Sequence, residues 1–420
     1  MKILLVSQYY EPENLPINFV TKLLADSNIE IDVLTGKPNY PEGKFYTSHH
    51  FFSKIIYKDN IGNNIYRLPI FPRGSGRFRG VKLGINYLSF VISGSILPFF
   101  LLRKKKYDAI FVYANSPILK TIPALIIGAW KKTPVILWVQ DLWPESFEAS
   151  GFKIHKWFRS LVVTIVLKIY QKTTIIACQS QGFVSKIHED YDISHQKLSY
   201  LPNTIDTIFE NYNRMNNLSI IPELAKHQGK FNIIFTGNIG EAQSIDTILK
   251  SARILKDNHP KINFLFIGGG SKLNELRAYA EEQELINITF LGSFPISDMP
   301  AILDFASALI ITLKQSPIFS LTIPNKLQSY LAAGKPILGA IDGEGACVIE
   351  DANCGLVCAS EDSTALAAIC LEISQLEEEK LASYGENAAQ FFQKNYASKK
   401  FLHNFYNLIN RAQSIYHDRA

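Results

Sequence analysis

"FNIIFTGNIGEAQSIDTILKSA", residues 231–252, reads as a strand, a loop and a helix. Phe231 to Thr236 is a short apolar run, Gly237 and Gly240 free the backbone behind it, and Asn238, Gln243 and Ser244 offer neutral hydrogen bonds at a helix start. Such a loop is a plausible phosphate cradle, because a helix N-terminus presents free N–H groups. The same rhythm continues at Asn263 to Ile267, Ile288 to Leu291, Ala308 to Thr312 and Pro336 to Leu338. It also precedes residue 231, with strands expected at Lys2 to Ser7, Ile29 to Thr35, Ala109 to Tyr113, Val135 to Val139 and Thr174 to Ala177. Strands alternating with amphipathic helical segments predict parallel-sheet α/β domains, here two, joined near residues 203 to 229.

Length supports that division. A chain of 420 residues, 47% hydrophobic and 19% charged, exceeds what one core serves. The expected domains are 1–205 and 206–396, with a last helix at about 397–420 packing back on the first. Met1 to Ser7 reads as a buried first strand rather than a signal peptide, so a cytoplasmic location is expected. Five cysteines at irregular spacing make no disulfide framework, and Cys347, Cys354 and Cys358 lack the paired spacing of a metal site and read as buried thiols. No metal is expected.

The net charge of +5 is unevenly spread. Between Asp59 and Asp108 there is no acidic residue, while Arg67, Arg73, Arg77, Arg79, Lys82, Arg103, Lys104, Lys105 and Lys106 are basic. Leu83 to Leu102 is uncharged, long enough for a membrane span. Asn86, three serines, two glycines and Pro98 dilute it, so the expectation is an interfacial helix on an anionic membrane surface; a core helix is the alternative. Nucleic acid is not expected, since the basic residues bracket an apolar stretch.

Loops at carboxyl ends of strands hold the ligands of such sheets. After Ile267 comes "GGGSKLNEL", in which Gly268, Gly269 and Gly270 admit either a ring at close range or a tight turn. Gly292 and Phe294 follow the next strand. In "IPNKLQSYLAAGKPIL", residues 323–338, a lysine stands in the first turn of a helix, where positive charge is unfavourable unless an anion lies nearby. Lys326 is therefore either a ligand group or a solvated lysine.

Taken together, "LPNTIDTIF", "FTGNIGEAQSIDTILKSA", "FIGGGSKLNELRAYAEE", "FLGSFPISDMPAIL" and "IPNKLQSYLAAGKPIL" resemble glycosyltransferase family 4. "SQYYEPENLPINFV", "VLTGKPNYPEGKFY" and "WVQDLWPES" narrow the resemblance to the O-antigen and capsule subgroup that includes N-acetyl-L-fucosamine transferases. The resemblance implies a GT-B fold, two Rossmann-like doubly wound domains facing a central cleft. It implies a retaining, metal-independent hexosyltransferase, with a UDP-sugar as substrate and no cofactor. The acceptor implied is a polyprenyl-diphosphate-linked saccharide at the inner face of the plasma membrane. A UDP-sugar epimerase and a catalytically silent UDP-sugar-binding member are the competing readings.

The implied donor site is Gly237, Asn238, Gly240, Gln243, Gly268, Gly269, Gly270, Gly292, Phe294, Thr322, Ile323, Asn325, Lys326 and Ser329. The family's two glutamates fall at Leu321 and Ser329, neither a carboxylate. Its customary basic residue after the Gly237 loop is absent, leaving Lys326 to face the diphosphate, where charge builds as the glycosidic bond breaks. On the acceptor side the candidates are Glu13, Asn14, Gln140 and Glu145, with Asp141 orienting the reacting groups or capping a turn. Trp143 stacks on a sugar or fills core.

Overall fold

The computed structural model describes residues 1–74, 76, 78–146, 155–212 and 221–418. The chain forms two compact units, Met1–Pro202 with Phe401–Ala420, and Asn203–Lys400. Its divisions fall at 202/203 and 400/401, a few residues from the expected 205/206 and 396/397.

The first unit is built on an eight-stranded sheet of order β3-β4-β2-β1-β5-β6-β7-β8. Its strands are β1 Lys2–Val6, β2 Glu30–Gly36, β3 Ile56–Lys58, β4 Asn64–Leu68, β5 Ala109–Ala114, β6 Val135–Val139, β7 Ile175–Cys178 and β8 Leu198–Tyr200. All neighbours pair in parallel except β3 with β4. Helices cover both faces, so β1, β5 and β6 are almost entirely apolar instead of alternating. The helix Ser398–His417 closes one face, where Phe401, Phe405, Leu408, Ile409 and Ala412 recur at helical spacing and join Phe111 and Trp138 in the core.

The second unit has a fully parallel six-stranded sheet of order β11-β10-β9-β12-β13-β14. These are β9 Phe231–Thr236, β10 Ile262–Ile267, β11 Ile288–Gly292, β12 Ala308–Thr312, β13 Ile337–Ala340 and β14 Gly355–Cys358. One core lies on each face of the sheet. Strand order reverses between β1 and β5 in the first unit and between β9 and β12 in the second, and those switch points are where the connecting loops diverge and leave a crevice.

The long uncharged segment forms the helix Arg79–Ile96 and a short turn, Pro98–Leu101. Gly80–Leu101 is long and apolar enough to cross a membrane, with a mean hydropathy of 1.5, and only 22% of it is buried. The helix is apolar on two faces. Leu83, Asn86, Phe90 and Gly94 face the unit, whereas Val81, Ile85, Leu88, Ile92 and Ile96 form an exposed stripe on the other side. Asn86, which the sequence suggests only as a polar dilution, is buried and accepts hydrogen bonds from Gln8 Nε2 at 2.8 Å and Tyr9 Oη at 3.0 Å. The basic residues around this helix do not act as one group: Arg67 sits within β4, buried, and donates to the Glu11 carbonyl, and Arg77 lies outside the described residues. Arg103, Lys104, Lys105 and Lys106 follow the helix end, with Lys131 and Lys132 beside them around a hollow of about 620 Å³.

Candidate functional site

In the second unit the loops after β9 and β10 are laced together by backbone. Gly237 N donates to Ile267 O at 2.8 Å, Ile239 N to Gly269 O at 2.8 Å, and Gly268 N to Gly292 O at 2.7 Å. Gly268 has φ +133°, and a Cβ there would lie 1.9 Å from Gly237 O. A Cβ at Gly270 would lie 2.3 Å from Ile239 O. Between the two sequence readings of this glycine cluster, close approach is correct at Gly268 and Gly270, but the approaching group is the neighbouring loop. Gly269 is the open one, its nearest foreign atom 3.7 Å away on Ser293.

Lys326 comes to this loop from the helix Asn325–Ala333. Its ammonium donates to Gln243 Oε1 at 2.6 Å and lies 3.8 Å from the ring centre of Phe235, and a Cβ at Gly237 would be 3.5 Å from it. Lys326 keeps part of its surface accessible, but the atoms packed around its ammonium push its pKa far below the ordinary lysine value, to about 7. Among the described residues no carboxylate stands within ion-pair distance of it. A cation held on an aromatic face and an amide oxygen, beside a glycine loop and a helix N-terminus, attracts an oxyanion.

The other expected donor residues divide. Gly237, Asn238, Gly240, Gln243, Gly268, Gly269 and Gly270 lie on this connected set of loops, Gly292 ends β11 beside it, and Lys326 reaches it from its helix. Thr322, Asn325 and Ser329 are nearby, yet their side chains are already engaged: Thr322 Oγ1 donates to Ile318 O, Asn325 Oδ1 accepts from the distant Asn203 Nδ2, and Ser329 Oγ donates to Lys326 O. Ile323 is 2% exposed, so it is corrected to a packing residue, whereas Phe294 is half-buried against the core.

Two lysines escape the sequence reading. Lys314 follows β12 and Lys272 follows the triple glycine, and Glu241 bonds both, Lys272 at 3.1 Å and Lys314 more closely. Hydrogen bonds from the two lysines, Lys314 foremost, hold the Glu241 carboxyl below the usual carboxylate range. The signal lay in the loop after β12, where a strand end at the switch point carries a lysine. Because Glu241 already takes both, Lys326 is, among the described residues, the cation at this loop left without a carboxylate.

In the first unit the loops after β1, β2, β5 and β6 are fixed by side chains. Glu13, expected on the acceptor side, is fully buried, and its carboxylate accepts from Tyr10 N at 3.0 Å, Asn39 N at 2.7 Å and Tyr40 N at 2.7 Å. It is corrected to a clamp joining two loops, since three backbone donors leave it little to offer a sugar. Burial pushes its carboxyl up to about 7, with the three N–H groups and Arg67 pulling the other way. Asp141 accepts from Ser116 N at 2.7 Å and Ser116 Oγ at 2.9 Å, capping the turn after β5 as well as standing at the end of β6. Trp143 is 9% exposed and donates to Ser116 Oγ at 3.0 Å, which favours core over a stacking platform. Glu145 lies 3.5 Å from Arg159, Asn14 is exposed, and Gln140 Nε2 is buried with no acceptor among the described residues. Among the described residues no three His, Cys, Asp or Glu side chains cluster as a metal site would require.

Residues 217–391, most of the second unit, match the family described as glycosyl transferases group 1. The chain is 29% identical over 180 residues to the probable glycosyltransferase WbjE of Pseudomonas aeruginosa, a match spanning 42% of this chain and 44% of that protein. It is 24% identical over 350 residues to the putative colanic acid biosynthesis glycosyl transferase WcaI of Escherichia coli, covering 80% of this chain and 82% of that one. In fold it matches sucrose-phosphate synthase of Thermosynechococcus elongatus with a TM-score of 0.75 at 13% identity, over 98% of each chain. It also matches Anabaena Alr3699/HepE in complex with UDP-glucose, with a TM-score of 0.67 at 13% identity, over 97% of this chain and 99% of that one. The fold is GT-B, two Rossmann-like units.

Proposed function

We propose that this protein is a retaining, metal-independent glycosyltransferase of family 4. It moves a sugar, an N-acetylated amino sugar, from a UDP-sugar to a lipid-linked saccharide in O-antigen, capsule or exopolysaccharide synthesis. The observation that carries the reading is Lys326, an ammonium without a carboxylate partner among the described residues, at the loop after β9, where strand order reverses. A nucleoside diphosphate supplies the missing negative charge, and as the bond from the sugar to the diphosphate breaks, Lys326 and the N–H groups of its helix stabilise the leaving group. The acceptor hydroxyl forms the new bond on the same face, and its proton passes to the departing phosphate oxygen. Asp141, held by Ser116, then orients the acceptor and need not act as the base.

The identity of the donor nucleotide is supported by fold relatives titled as complexes with UDP and UDP-glucose, and the pathway by the name of WcaI. A lipid-linked acceptor and a place on the inner face of the plasma membrane are supported by the exposed stripe Val81, Ile85, Leu88, Ile92 and Ile96, beside the basic cluster from Arg103 to Lys106. Calorimetry with UDP and a donor screen against membranes bearing polyprenyl-diphosphate sugars test the proposal. UDP should bind, and Lys326→Ala should weaken it about tenfold to a hundredfold, the range for losing one charged hydrogen-bonding partner. Unchanged affinity would remove Lys326 from the site, and no turnover across the donor panel would sink the transfer reading.

A further inference from the structure

The first unit holds positive charge that the donor chemistry does not use. It lies at the switch point between β1 and β5, at the carboxyl ends of β1, β5 and β6. Lys120 is fully buried, and among the described residues its ammonium has one hydrogen-bond partner, the Asn115 side-chain oxygen. That ammonium is 5.7 Å from the ring centre of Tyr9. The Arg73 guanidinium is 5.5 Å from the same ring and 5.0 Å from the ring of Tyr40. An ammonium has three N–H donors and a guanidinium five, so most of the donors on these two groups are unspent.

Two carboxylates lie in the neighbourhood, and neither neutralises the cations by contact. Asp141 is engaged by Ser116, and Glu13 by three backbone N–H groups. Burial with so little compensation drives the Lys120 pKa down to about 7, Asp141 opposing that shift and Arg73 adding to it. Gln140, which follows β6, adds a buried amide nitrogen with no acceptor among the described residues. A buried ammonium is costly unless paired, and here three donor groups from three loops share one end of the sheet without an acceptor to match.

We propose that Lys120 and Arg73, with the Gln140 amide, form an oxyanion site for the phosphate or diphosphate that joins the acceptor saccharide to its lipid. The identity of the acceptor rests on the transfer reading above; the oxyanion site itself does not. A phosphate or diphosphate matches the donors on offer, since Arg and Lys bind such groups by charge-assisted hydrogen bonds. It would fix the lipid end of the acceptor beside the loop that carries Asp141.

The test is titration calorimetry of the full chain, saturated with UDP to fill the donor site, with inorganic pyrophosphate as one probe and farnesyl diphosphate below its micelle concentration as the other. One equivalent of each should bind, farnesyl diphosphate the more tightly. Arg73→Gln and Lys120→Met should each weaken binding at least tenfold while leaving UDP affinity unchanged. Arg73 is only partly buried, so Arg73→Gln decides the matter if Lys120→Met fails to fold. No uptake of pyrophosphate once UDP is bound, or equal binding by Arg73→Gln, overturns the site. Equal affinity for both probes overturns the lipid-borne source and leaves a free-phosphate site. Sugar transfer with an unchanged acceptor KM in Arg73→Gln overturns the proposal and leaves the transfer reading standing. Pyrophosphate binding without turnover on any donor does the reverse.

Discussion

The rims of the two sheets are made rigid in opposite ways. In the second unit, Gly268 and Gly270 remove side chains so that two backbones can touch, and one lysine is then brought in from a neighbouring helix. In the first unit the loops keep their side chains and are tied by them: Glu13 to three backbone N–H groups, Asp141 to Ser116, and Asn86 to Gln8 and Tyr9. A backbone-laced rim leaves room beside it for a flat or extended ligand. A side-chain-tied rim fixes individual donors and acceptors at chosen points, which suits recognition of one anionic group.

The sharpest way to break this comparison is Gly268→Ala. With φ +133° and a Cβ 1.9 Å from Gly237 O, the substitution should cost about 2–4 kcal/mol in urea unfolding and abolish UDP binding. If stability and UDP affinity both survive, the lacing is not what holds the donor loop. Glu13→Gln is the matching change in the first unit. It turns an amide N–H toward backbone N–H groups and should cost about 1–3 kcal/mol, leaving UDP affinity intact. A fall in UDP affinity as large as that from Lys326→Ala would end the assignment of the two rims to separate tasks.

A smaller effect concerns the outer face of the first unit. The triple variant Ile85→Asp, Leu88→Asp, Ile92→Asp removes apolar surface that is already exposed, so folding should change little while sedimentation with anionic vesicles falls at least tenfold. Wild-type pelleting should also weaken in high salt, as screening reduces the basic contribution. Salt-insensitive pelleting by both proteins would discard the membrane-facing role.

The smallest expected effect is a proton. Burial of its ammonium pushes the Lys326 pKa down to about 7, so at pH 8 it is largely neutral, and an arriving diphosphate favours its charged form. UDP binding at pH 8 should take up close to one proton, read from calorimetry in buffers of different ionisation enthalpy, and Lys326→Met should remove the uptake. The same shift bears on stability with the sign reversed from an ion pair. Between about pH 7 and the ordinary lysine value the unfolded chain holds the proton that the folded chain has lost, so this residue makes the protein more stable as pH rises.

Sequence and structure divide the credit by distance along the chain. The βα rhythm, the strands β1, β6, β9 and β12 and the glycine loop at 237 could be read directly, because apolar runs and glycines act over a few residues. β4 and β14 could not. Arg67 sits inside β4 and suggested surface charge, and only the sheet supplies the neighbours that bury it. Lys326 stood out by its unfavourable place at a helix start, but that it meets Gln243 and Phe235, and that Glu241 collects Lys272 and Lys314, required positions far apart in the chain to converge. Glu13 looked like a ligand group because an isolated carboxylate in a loop has no visible partner; its partners are backbone N–H groups, which no sequence distinguishes. The sequence by itself determined that two parallel sheets form and where their loops fall, since burial periodicity and turn chemistry are local. Which loop groups remain unspent, Lys326 in one unit and Lys120 with Arg73 in the other, was decided only by tertiary structure. Hydrogen-bond satisfaction is a property of neighbours in space.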